Sequence, residues 1–252
     1  MFAKFIIDYQ TNIFEELSKS VEFENITNGR KGTVIIDYKN NMVPLVRTTT
    51  IYNKPVQQFL SIHHDLIKNI KKISNIQELE LNNALIEIYD SQYRTMNFHS
   101  DQSLDLGENS YICIFSCYDN PSTDIRKLKI KEKLTNECSE ILLEHNSVII
   151  FSTEINKKYV HKIVLEKNTL NNTLNNTLNN KWLGITFRLS KTFIQFINDI
   201  PHFYQNAKIL RISTNDERNE FRKYKGLENK KIGYDYPEID YTISISDTLP
   251  IK

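Results

Sequence analysis

Ser110–Tyr118 reads SYICIFSCY, a run of aromatic, β-branched and small residues with no charge in it. That composition favours an extended strand over a helix. Similar short runs flank it. ALIEIY (Ala84–Tyr89) comes before; RKLKI (Arg126–Ile130), EILLE (Glu140–Glu144), SVIIFS (Ser147–Ser152), HKIVLE (His161–Glu166) and KWLGITFRL (Lys181–Leu189) come after. Polar turns separate them. Seven such runs between Ala84 and Leu189 predict a sandwich or jelly-roll-type barrel rather than alternating βα units.

Outward from this block the pattern is mixed, so the expected class is mainly β with flanking helices (α+β). Ile13, Phe14, Leu17 and Val21 fall at helical spacing. A second helix is expected to start at Pro55, with Val56, Phe59, Leu60, His63, Ile67, Ile70 and Ile73 as its apolar stripe. The expected division is an N-terminal extension (1–83), a core (84–192) and a C-terminal extension (193–252). Within the core, NTLNNTLNNTLNN at 168–180 is an uncharged four-residue repeat, read as an expanded loop between two strands.

At 252 residues, 40% hydrophobic and 25% charged, the chain suits one soluble domain with a full core. The net charge of +1 gives no global field to attract nucleic acid, although a local patch would suffice. Cys113, Cys117 and Cys138 are odd in number and lack CxxC spacing, so they are read as small buried hydrophobes. Lys4 and Asp8 interrupt the N-terminus before a secretory segment forms, and no apolar run is long enough to span a bilayer. The expected setting is cytoplasmic or nuclear, not secreted, with no membrane partner.

Two places read His-x-Asp: His63-x-Asp65 and His99-x-Asp101. In a helix, residues two apart point to nearly opposite faces, so His63 and Asp65 cannot share an ion. His63 also sits on the apolar stripe and reads as a core histidine. His99 and Asp101 follow a strand-like run, where residues two apart project from one face. His161, at the start of a later strand, supplies a third donor. Two histidines and one carboxylate on one face of a metal make the facial triad of non-haem iron(II) oxygenases, which leaves positions open for other ligands. Arg188, further on, offers a fork suited to a carboxylate. Taken singly, each has a plainer reading: a strand-end histidine, a turn aspartate, a histidine paired with Glu154 or Glu166, a surface arginine.

The order His-x-Asp, His, Arg across short strands resembles the 2-oxoglutarate/iron(II) double-stranded β-helix (jelly-roll, cupin-like) enzymes, and among them the AlkB-like branch. The residues that carry this are IEIYDSQYRTMNFHSD (Ile86–Asp101), EILLEHNSVIIFSTEINKKYVHKI (Glu140–Ile163) and ITFR (Ile185–Arg188). VPLVRTTTIY (Val43–Tyr52) is faintly like a segment that precedes that core. The resemblance implies Fe(II) held by His99, Asp101 and His161, with 2-oxoglutarate as cosubstrate contacted by Tyr89 and Arg188. It also implies O2 as the second cosubstrate. There is a departure. AlkB-like enzymes usually carry an arginine and an asparagine where this chain has Trp182 and Gly184. Three outcomes stay open: Arg188 alone anchors the cosubstrate, Lys181 substitutes, or cosubstrate binding is altered.

The activity implied is hydroxylation or oxidative demethylation of a macromolecule, with an N-methylated nucleic-acid base as the expected substrate. Tyr38, Tyr52 and Tyr93 are candidate rings for a flipped base. The stretch Lys208–Lys231 holds eight Lys and Arg residues mixed with Asp216, Glu217, Glu220 and Glu228, which reads as a solvated amphipathic face rather than a phosphate track. The competing readings are a protein side-chain hydroxylase or demethylase and a non-catalytic β-helix binding module.

Overall fold

In Tyr111–Tyr118, Cys113, Phe115 and Cys117 face one buried cluster while Ile112, Ile114 and Tyr118 face another. A strand apolar on both sides needs a layer on each, and the rest of the chain supplies them. The structure is a computed structural model that describes residues 1–121, 126–165 and 180–252. In chain order its principal strands are β1 Ala3–Ile6, β2 Glu24–Thr27, β3 Arg30–Ile36, β4 Val43–Leu45, β5 Gln57–Gln58 and β6 Asn83–Tyr89. They continue as β7 Tyr111–Tyr118, β8 Arg126–Glu132, β9 Cys138–Leu143, β10 Ser147–Ser152, β11 Tyr159–Leu165 and β12 Trp182–Arg188. The helices are α1 Phe14–Lys19, α2 Ser61–Ser74, α3 Thr153–Lys158 and α4 Asn215–Glu228. Each of the seven runs read from the sequence forms a strand.

The large sheet runs β1-β10-β7-β12-β6-β3-β2, with β5 beside β3. Its neighbours are antiparallel except for the β3–β5 pair. A small sheet, β11-β8-β9, packs over one face and is widened by the segment after β6 through bridges Thr95↔Val164 and His99↔His161. Helices α1 and α2 cover the other face with Phe14, Leu17, Leu66 and Ile70. Two antiparallel sheets with helices outside are the jelly-roll core of a double-stranded β-helix.

Strands β1, β2 and β3 belong to the same sheet as the core strands, so the N-terminal stretch is woven into the core rather than laid on it. The second helix begins at Ser61, not at Pro55. Residues 57–58 are taken up by parallel pairing with Ile35 and Ile36, and tertiary pairing overrides the local preference. Cys113 and Cys117 are buried as expected, but Cys138 is exposed because it opens the edge strand β9. Most of the Asn-rich segment 168–180 lies outside the described residues. Among the described residues no helix is long and apolar enough to cross a membrane.

Candidate metal centre

Antiparallel pairing brings the two histidines together. His99 N donates to the His161 carbonyl at 3.0 Å, and His161 N donates to the His99 carbonyl at 2.7 Å. The two residues are therefore direct cross-strand partners, with ring centroids 4.8 Å apart. Asp101, two residues on, swings its carboxylate to the same side. One donor atom from each of His99, Asp101 and His161 lies within 4.8 Å of the others. The contact between Asp101 Oδ1 and His161 Nε2 is 3.6 Å, beyond hydrogen-bond reach and suited to two donors sharing one ion. The Nδ1 of His99 is turned to the Asn97 carbonyl at 3.0 Å, which leaves its Nε2 for a metal.

The backbone between these residues is held by side chains from two helices. Asn156 of α3 accepts from Asp101 N and donates to Asp101 O, both at 2.7 Å. Asn229, just past α4, accepts from Ser100 N at 3.0 Å, and Lys225 of α4 donates to Ser100 O at 2.5 Å. Glu228 then takes Lys225 Nζ on one oxygen and both Ser103 N and Ser103 Oγ on the other. Side chains in three places thus fix the His-x-Asp loop.

Electrostatics leave the three donors in their ligating forms. Burial pushes His161 down to about 3, with neighbouring His99 adding to it, and burial also lowers His99. Burial alone would raise the Asp101 carboxyl, but Arg188 and His161 beside it hold it well below the usual carboxylate range. Arg188 Nε donates to Asp101 Oδ2 at 2.6 Å, while its Nη1 is buried with no hydrogen-bond partner among the described residues.

The donors open on a cavity of about 540 Å3 between the two sheets. Its lining includes Arg188 and Thr186 of β12, Glu87 and Tyr89 of β6, and Arg30 of β3. Thr48, Thr49 and Thr50 close one side and Arg222, Lys225 and Asn229 another. Arg47 holds that threonine segment through a buried ion pair with Asp105 at 2.7 Å and bonds to the carbonyls of Ile239 and Tyr241.

The donor set fits a non-haem iron: two imidazoles and one carboxylate, uncharged histidines, an ionised aspartate and a cavity in front. A model of the family described as the 2OG-Fe(II) oxygenase superfamily matches residues 10–188, well over half the chain. The chain belongs to the 2OG-Fe(II) oxygenase superfamily. It is accordingly a 2-oxoglutarate-dependent dioxygenase that uses Fe(II), 2-oxoglutarate and O2. A solved structure of OsALKBH1 is similar to this chain at 16% identity and a TM-score of 0.41, with 64% of this chain and 78% of that chain covered. No curated protein sequence matches it.

The structure brings His99, Asp101, His161, Arg188 and Tyr89 to this one cavity of the 2OG-Fe(II) oxygenase. His63 is elsewhere, buried in the core. Its Nδ1 accepts from Leu60 N at 2.9 Å, its Nε2 lies 3.1 Å from Ser20 Oγ, and Asp65 is exposed. Of the candidate rings, Tyr93 lines the cavity, Tyr52 is buried and not part of its lining, and Tyr38 sits apart with its hydroxyl on Asn41. Lys181 is exposed. In Lys208–Lys231, Lys208 pairs with Glu238, and Arg211 with Glu217 and Asp240, as a solvated face does. Lys225 departs from that reading, being buried. Sequence reasoning missed Arg30, Glu87, Asn156, Lys225 and Asn229. Position within β6 marks Glu87 as facing the same way as Tyr89, a signal available from alternation alone.

Proposed function

We propose that His99, Asp101 and His161 hold the iron and that this enzyme oxidises an N-methyl or similar C–H group on a macromolecule, an N-methylated nucleic-acid base above all. The observation that carries the metal assignment is the mutual approach of the three donors to within 4.8 Å at one wall of the cavity. When bound, iron(II) with 2-oxoglutarate and O2 supplies the oxidising chemistry, yielding succinate, carbon dioxide and a hydroxylated substrate carbon. If that carbon is an N-methyl, the product breaks down and the methyl is lost.

The chain's own residues perform the rest. The cross-strand histidine pair and the braced loop fix the donors before the metal arrives. Arg188 keeps Asp101 ionised and presents a second, unpaired N–H beside it, a donor suited to the keto-acid end of the cosubstrate. The facing sheets exclude bulk water around these groups.

Support for a nucleic-acid substrate lies at the cavity lining. Tyr93 contributes a ring to the lining, and Phe98, next to His99 in the chain, has Lys162 Nζ at 4.7 Å and Lys131 Nζ at 5.3 Å from its ring centroid. A ring with two cations close to it suits a base and its phosphate neighbours. The test is succinate formation and methyl loss with single-stranded oligonucleotides bearing N-methylated bases, run at rising salt. Turnover that weakens steeply with salt supports the reading. Turnover on peptides alone, insensitive to salt, overturns the nucleic-acid part and leaves a protein hydroxylase or demethylase.

A further inference from the structure

The register across β3, β6, β12 and β7 sets side chains in transverse rows. Arg30, Tyr89, Trp182 and Tyr118 form one row on the cavity side, and Gly32, Glu87, Gly184 and Ser116 form the next. In the second row Glu87 stands between two glycines. A Cβ at Gly184 would fall 1.9 Å from the Trp182 ring, and one at Gly32 would fall 3.2 Å from Glu87 Cγ. So Trp182 lies folded over Gly184, and Glu87 lies across Gly32. From β12, neither of the residues in these two rows brings a cation to this end of the cavity.

The cation comes from β3 instead. Arg30 donates through Nε at 2.8 Å and Nη2 at 2.5 Å to Glu87 Oε1, and the Tyr89 hydroxyl donates to Glu87 Oε2 at 2.6 Å. A guanidinium and a phenol converging on one carboxylate form an anion cradle. All three groups line the cavity that holds the triad. Nearby polar groups are left over: Ser116 Oγ and Trp182 Nε1 in these rows, and Tyr52 Oη, which a Cβ at Gly32 would approach to 3.4 Å. Among the described residues each is buried with no hydrogen-bond partner, a desolvation cost that leaves this end of the site short of polar partners although none of the three lines the cavity itself.

We propose that Arg30 and Tyr89 anchor the far carboxylate of the dicarboxylate cosubstrate, and that Glu87 is a tethered carboxylate which fills this anchor until the cosubstrate displaces it. The inference rests on the iron and 2-oxoglutarate reading above. Two carboxylates cannot share one guanidinium without repulsion, so the cosubstrate binds against Glu87. Glu87 in turn keeps a buried arginine paired while the cradle is free. Arg188 is left to the keto-acid end.

The test compares two keto acids in the anaerobic iron(II) protein: 2-oxoglutarate, and 2-oxobutanoate, which has the same chelating end but no second carboxylate. The readout is the affinity of each, followed by the chelate's visible absorption. Glu87→Gln is expected to tighten 2-oxoglutarate about tenfold, the scale of one charge-assisted hydrogen bond, with 2-oxobutanoate unchanged. Arg30→Met is expected to remove any preference for the diacid. Because Arg30→Met strands a buried carboxylate, the double variant Arg30→Met with Glu87→Gln is measured beside it. It too must bind both acids alike. A diacid preference that survives in the double variant overturns the anchor, and a weaker 2-oxoglutarate complex in Glu87→Gln overturns the tethered role. Absence of a chelate with either acid, in the parent protein, would instead contradict the metal and cosubstrate reading itself.

Discussion

The ammonium of Lys225 sits 2.5 Å from the carbonyl oxygen of Ser100, the residue between His99 and Asp101. A lysine from the C-terminal helix thus holds the turn on which two of the three proposed iron ligands stand. Lys225 is buried, paired with Glu228, and Glu228 also binds Ser103 of the same loop. The C-terminal extension is therefore part of the site's scaffold.

Replacing Lys225 with Met keeps the stem but removes the donor. Partners that orient metal ligands typically matter about 10–100-fold in metal affinity, and a loss in that range is expected for Lys225→Met. Calorimetric titration with iron(II) or manganese(II) checks it. Unchanged affinity would show that Asn156 and Asn229 suffice.

Arg188→Ala is expected to weaken both iron and 2-oxoglutarate, because Arg188 touches Asp101 directly as well as the cavity. Without that cation the Asp101 carboxyl loses the chief influence lowering it, so metal affinity falls off at a higher pH than in the parent. Arg188→Lys restores the charge but not the fork, and is expected to recover iron better than cosubstrate. Equal recovery of the two would argue against a separate role for the second N–H.

His63→Ala is expected to cost roughly 1–3 kcal/mol of stability, from a core cavity and the lost bond that caps α2. Iron affinity should not change. Chemical denaturation and metal titration on the same variant give both numbers, and loss of the metal would move the centre to the other His-x-Asp, His63-x-Asp65.

Acid is expected to destabilise the metal-free protein below the ordinary histidine pKa of 6.5. His161 is held down to about 3 and His63 to about 4, both by burial. Each stays neutral in the fold while the unfolded chain takes up a proton, so stability falls as pH drops through that window, by at most about 1.4 kcal/mol per pH unit for each group. His99 and His145 shift in the same direction. Asp247 works the other way: burial pushes it up to about 6, so it gains a proton in the fold before its unfolded value of 3.8. One carboxyl offsets only part of the histidines. Melting temperatures at pH 7 and pH 5 check the sign, and a flat profile would contradict it.

The strands were legible because β-branched and aromatic runs bounded by polar turns report a local preference. The His-x-Asp loop was legible because extended backbone puts alternate residues on one face. Pairing was not. Nothing in the spacing of His99 and His161 states that they face each other across a bridge. Glu87 reads as an ordinary half of ALIEIY until Arg30 arrives from a strand more than fifty residues earlier, a contact set by sheet order. Lys225 was hidden among charges that do face solvent, since composition cannot separate the one lysine turned inward. Pro55 misled because a two-residue parallel pairing claims the segment that local preference gives to the helix.

The measurement closest to the central claim is an anaerobic titration of the purified protein with iron(II) and then 2-oxoglutarate, followed by visible absorption. It needs no substrate. The account predicts a chelate band that appears only with both present and is lost in His99→Ala and in Asp101→Ala while the fold remains. A band that persists in those variants, or iron that binds without ever giving one, would contradict it.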